Sequence, residues 1–75
     1  MRRIYPLDPA SAQRLTNRRR TLGLTQNAIA LATGLSESTI AKLETLRLPF
    51  SPEHRAVIDR TLDEAERGQN GGATL

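Results

Sequence analysis

Residues 26–45 read QNAIALATGLSESTIAKLET, and this stretch decides the fold. Ile29 and Ala30 on one side of Thr33-Gly34-Leu35-Ser36, and Ile40 and Leu43 on the other, recur at helical intervals and define one apolar side. The spacing predicts two short helices, about Gln26 to Thr33 and Glu37 to Leu46, joined by a tight turn. Gly34 stands where the first helix must stop, a position that favours a left-handed backbone that only glycine adopts cheaply. Ser36 follows as an N-cap whose hydroxyl can accept the amide of Ser38 or Thr39. Ala30 is small where the helices would cross. Glu37, Ser38, Ala41, Lys42 and Thr45 then face outward, short or polar side chains able to reach a partner.

Outward from this stretch the signals stay helical. Asp8-Pro9 is an N-cap carboxylate followed by proline at the first helical position, and it predicts a helix to about Leu22, ending at Gly23. The apolar stripe of that helix is Ala12, Leu15 and Leu22, interrupted on the same face by Arg19. Ser51-Pro52 repeats the start signal, and a last helix is expected to about Arg67 with Val57, Ile58, Leu62 and Ala65 as its apolar face. Between them, Arg47 to Phe50 reads as a loop with Leu48 and Phe50 turned inward. Residues 1–7 are expected to be extended ahead of Pro6 and Pro9, and the glycine-rich residues 68–75 to be disordered. The organisation is thus an arm over 1–7, a compact all-α domain of four helices, or five, over 8–67, and a tail over 68–75.

Composition narrows the function. The chain has 75 residues, 37% of them apolar, with Tyr5 and Phe50 the only Phe, Tyr or Trp and no cysteine. That suits one small helical core and provides neither a disulfide framework nor a thiolate metal site. No apolar run approaches the roughly 20 residues that cross a bilayer, and no signal-peptide core opens the chain. Residues 1–50 carry eight basic groups against three acidic, and residues 51–75 three basic against five acidic. The positive half is the half with the two short helices, the polarity expected if that end meets phosphates. Catalysis finds little support. His54 reads as an exposed surface residue, and Asp59, Asp63 and Glu66 as the wet face of an amphipathic helix. No metal, cofactor or small-molecule ligand is expected.

Several features agree at once: Arg19, Gly23-Leu24-Thr25-Gln26, Ile29-Ala30, Gly34-Leu35-Ser36, Ser38-Thr39-Ile40 and Leu43-Glu44. Together they resemble the Cro/repressor-type (XRE-like) helix-turn-helix family of phage and bacterial regulators, over roughly residues 12–46. Where the family often has Asn-Gly after its reading helix, this chain has Leu46-Arg47. The resemblance implies a lambda-repressor-like domain that binds double-stranded DNA as a transcriptional regulator. The third helix would lie in the major groove, and the bound protein would occlude an operator or promoter.

The resemblance also implies roles. Gln26 would bond a DNA phosphate from the start of the second helix. Glu37, Ser38 and Lys42 would touch bases, with Ser36 and Thr39 close to base or backbone. Lys42 can donate to guanine and Glu37 can accept from cytosine. Glu37 is equally a favourable first-turn acid, and Lys42 has the alternative of a chance solvated charge. Thr45, Arg47, Arg18 and Arg20 are expected at phosphates. Arg19 and Glu44 are expected to form a structural ion pair between the first and third helices. Arg2 and Arg3 fit either a DNA-reaching arm or a solvated terminus. A homodimer on a two-fold operator is the expected working form, with surplus apolar surface on the last helix as its interface and a monomer as the alternative. An antitoxin-like protein-interaction module and a non-specific DNA binder are the other readings. The expected location is the cytoplasm of a bacterium or a phage-infected host, with no membrane partner.

Overall fold

The computed structural model describes residues 5–73, with side chains described as far as Gly68. Arg2 and Arg3 lie outside the described residues. Four helices follow in order: α1 Pro9–Thr21, α2 Gln26–Thr33, α3 Glu37–Glu44 and α4 Pro52–Ala73. Among the described residues there is no strand and no fifth helix.

Local chemistry explains the boundaries. Asp8 caps α1 by accepting the Ser11 amide at 3.0 Å, with Pro9 at the first position, where no amide donor is missed. Thr25 accepts the Ala28 amide at 3.0 Å and opens α2. Ser36 accepts the Thr39 amide at 3.0 Å and opens α3. The first two helices end on left-handed glycines, Gly23 (φ 73°) and Gly34 (φ 78°). At the first of these, Leu24 N–H folds back to the Arg19 carbonyl at 3.0 Å and Gly23 N–H to that of Arg20 at 3.0 Å.

Two expectations are corrected here. The third helix stops at Glu44 rather than Leu46. The Arg47 amide turns back to the Lys42 carbonyl at 2.8 Å, and Leu46 takes the left-handed conformation (φ 64°) that glycine takes after α1. A leucine gives no warning of such a stop. The last helix continues past Arg67 to Ala73, so the backbone of residues 68–73 is helical instead of a disordered tail. No proline follows Arg67, and Gly68 does not take a left-handed φ. A helical glycine costs about 1 kcal/mol, which lowers the expectation of helix without forbidding it. Leu7, ahead of α1, is 52% exposed.

The core lies where the four helices meet, with α2 packed on α3 and α4, and α1 on α3 and α4. Ile29, Ile40, Leu43, Ile58 and Leu62 are the largest fully buried side chains. Burying each stabilises the fold by roughly 1.5–3 kcal/mol. Ala12, Leu15, Leu22, Ala30 and Phe50 complete the core, with Leu24, Leu35, Leu46, Leu48, Val57 and Ala65 packed against it. The α4 face expected to leave surplus apolar surface is mostly spent on this core, since Ile58 and Leu62 are 2% and 1% exposed.

The two left-handed positions separate strain from packing. A Cβ at Gly34 meets no heavy atom within 4 Å, so Gly34→Ala should cost only the left-handed penalty, about 1 kcal/mol. Leu46→Gly should change stability by less than about 1 kcal/mol, because relief of roughly 1–2 kcal/mol of strain offsets the lost packing. Denaturant titration checks both. A loss above about 2 kcal/mol for Leu46→Gly would mean that side-chain packing dominates there.

Candidate nucleic-acid interface

Rigidity of α3 starts with what lies beneath it. Ile40 and Leu43 are both fully buried, which fixes the rotation of the helix about its axis. Its opposite side leaves Glu37, Ser38 and Lys42 exposed, with Thr39 and Ala41 half-buried beside them. The Lys42 ammonium, the Glu37 carboxylate and the Ser38 hydroxyl have no side-chain partner among the described residues. Glu37 also occupies the first turn of α3, where a negative charge favours the helix dipole. Ser36 and Thr39 share a hydroxyl bond of 2.8 Å, and the Thr45 hydroxyl donates to the Ala41 carbonyl at 2.7 Å. Those three hydroxyls therefore serve helix ends and stay near the surface.

Arg19 and Glu44 tie this helix to α1. The guanidinium donates through Nε to Oε2 at 2.7 Å and through Nη2 to Oε1 at 3.0 Å, a parallel two-bond pairing. Their side chains are only 12% and 5% exposed. Arg19 Nη1 also donates to the Leu24 carbonyl at 2.9 Å, holding the α1–α2 connection. Burial pushes the Glu44 carboxyl up, but hydrogen bonds from Arg19, Gln26 and Thr16, with the Arg19 charge, hold it below the usual carboxylate range. Gln26, expected at a phosphate, donates through Nε2 to Glu44 Oε1 at 3.0 Å.

Arg18 departs from expectation. It was expected to be free for phosphates, yet its side chain is 19% exposed and turned onto α4. There it bonds Glu66 twice, at 3.0 and 2.9 Å, Asp63 at 2.6 Å and Asp59 at 3.4 Å. The carboxylates expected to be a solvated face stay substantially exposed (Asp59 49%, Asp63 54%, Glu66 39%) and also pair α4 with α1 through Arg18. Their 59, 63 and 66 spacing showed one helical side, but not a partner more than forty residues away. Arg20 and Arg47 are exposed and have no side-chain partner among the described residues.

A second network, absent from the sequence reading, joins the start of α1 to α4. Arg55 donates to Asp8 Oδ2 at 2.9 Å and to the Ser11 hydroxyl at 2.6 Å, and its guanidinium carbon lies 5.5 Å from the Phe50 ring centre. The Ser11 hydroxyl and amide, then Arg55, hold Asp8 down at about 2 from the usual 3.8. His54 is half-buried rather than exposed, and its Nδ1 is buried without a hydrogen-bond partner. Among the described residues, no group of three or more His, Cys, Asp or Glu is placed to hold a metal ion. None of their helices is long and apolar enough to cross a membrane.

Two short helices at a tight turn, the second fixed from below and polar above, define a DNA-binding helix-turn-helix domain. A family model described as helix-turn-helix matches residues 15–54, 40 of the 75 residues. The chain belongs to the Cro/repressor-type (XRE-like) helix-turn-helix family, whose members are DNA-binding transcription regulators and typically not enzymes. No curated protein and no solved structure matches it.

Two predictions follow from the ion pairs. Arg19→Met and Glu44→Leu should each cost roughly 3–5 kcal/mol, because each strands a buried charge, while the double variant should cost far less than their sum. Chemical unfolding of all four chains closes the cycle, and additive losses would mean that the two residues act independently. For Asp8 the folded pKa lies below the unfolded one, so its stabilisation is present above about pH 4 and lost as pH falls toward 2. Wild type should therefore exceed Asp8→Asn in stability near pH 5, with the gap closing near pH 2. A gap constant across that window would contradict the assignment.

Proposed function

We propose that this protein is a sequence-specific transcriptional regulator that lays α3 in the major groove and occludes an operator or promoter. The observation that carries this reading is the free, exposed set of Glu37, Ser38 and Lys42 on a helix whose other side is locked by Ile40, Leu43 and Glu44. An α-helix with its side chains is about 10–12 Å across, so a major groove about 12 Å wide admits it. Lys42 donates to guanine O6 and N7, and Glu37 accepts from cytosine N4 or rejects sequences lacking an amine there. Ser38 adds a less discriminating contact.

Phosphate contacts set position. Gln26 and the free amides at the start of α2 suit that task, as do Ser36, Thr39, Thr45, Arg20 and Arg47 at the edges of α3 and α1. Arg18 is left out, because three carboxylates hold it. One short helix reads only a few base pairs, so a homodimer on a two-fold site is the working form. On α4, Ile58 and Leu62 are spent on the core, which leaves half-buried Val57 and Ala65 of its apolar face to offer to a second copy.

Competition binding over a panel of duplexes and a salt series tests this. Lys42→Ala should flatten the differences among duplexes. Arg20→Ala should weaken binding to every duplex alike and reduce the salt slope by about one. Identical behaviour of the two variants would contradict the division of roles. Absence of binding to any duplex at low salt would favour a protein-interaction module instead.

A further inference from the structure

Glu44 does more than pair with Arg19. Its Oε1 accepts both Arg19 Nη2 and Gln26 Nε2 at 3.0 Å. A carboxylate can only accept, so the end of the Gln26 amide that faces it must be the NH2 end. One Nε2–H is thereby occupied, and the other has no partner among the described residues. Gln26 is half-buried at the first position of α2, where the helix also presents unpaired backbone amides. A DNA phosphate oxygen is likewise an acceptor only, so it is satisfied by that free N–H and repelled by an amide carbonyl.

We propose that Glu44 is a positioning residue for DNA binding: it fixes the Gln26 amide with an N–H, never the carbonyl, available to the phosphate at the start of α2. The inference rests on the DNA-binding reading above. Its consequence is that one carboxylate couples the α1–α3 tie to the backbone grip of α2. A neutral amide at position 44 can donate as well as accept, so Gln26 could turn over and offer its oxygen to the phosphate.

A cycle of Gln26→Met, Glu44→Gln and the double variant, read as affinity for duplex DNA well below each melting temperature, tests the coupling. Gln26→Met and Glu44→Gln should each weaken binding by about tenfold, the scale of one lost hydrogen bond, with the double variant little worse than either. Multiplying losses, or full affinity in a folded Glu44→Gln, would overturn the proposal. Should Glu44→Gln fail to fold, the wild-type Gln26 side-chain amide gives the answer by NMR. One Nε2 proton should be protected from exchange before DNA is added and stay so, while the other shifts on binding. Two exposed protons, or two unmoved by DNA, would overturn it. If wild type binds DNA and Gln26→Met binds equally well, this proposal alone fails; if wild type binds no duplex, the regulator reading fails as well.

Discussion

The structure depends on one buried ion pair, Arg19 with Glu44. A charge in the middle of the α1 apolar stripe is costly unless every donor near it finds an acceptor. Here Nε and Nη2 meet the carboxylate and Nη1 meets the Leu24 carbonyl, while the remaining valence of Oε1 takes Gln26. The pair thus touches α1, the α1–α2 connection, α2 and α3. An apolar replacement of both partners could fill the same space, but it would lose these directional bonds. Their contribution is register: with Ile40 and Leu43 fixing the rotation of α3, they set how far it slides against α1.

The other charges divide by direction. Arg18 and Arg55 turn onto carboxylates, bracing α4 against the last turn and the start of α1. That leaves Arg14, Arg20, Lys42 and Arg47 as the basic side chains without a carboxylate partner among residues 5–50. The basic excess of the first half is therefore smaller at the surface than in the sequence. Any phosphate attraction from these residues is concentrated in Arg14 and Arg20 on α1, Lys42 on α3 and Arg47 just beyond it.

Local signals were legible and distant ones were not. Thr25 and Gly34 bound α2 at both ends, and Asp8-Pro9 and Ser51-Pro52 place two helix starts, because each signal acts within one turn. Leu46 adopts a conformation that its own chemistry disfavours, so the end of α3 is set by the fold around it and was misread by two residues. The glycines after Arg67 lower helix propensity without breaking α4, so propensity alone placed its end too early. The partners of Arg18 lie 41 to 48 residues away, and only packing of α1 on α4 brings them together. Arg19 and Glu44 are legible through the family pattern, whereas the Gln26 bond to Glu44 is not, because it forms only when α2 packs on α3 and brings together residues 18 apart.

The central claim is that this locked α3 face reads base sequence, and selection of bound duplexes from a random pool tests it most directly. The account predicts an enriched inverted repeat with half-sites about one helical turn, roughly 34–36 Å, apart and a guanine within reach of Lys42 in each half. A pool that is retained with steep salt dependence but shows no enriched sequence would contradict it.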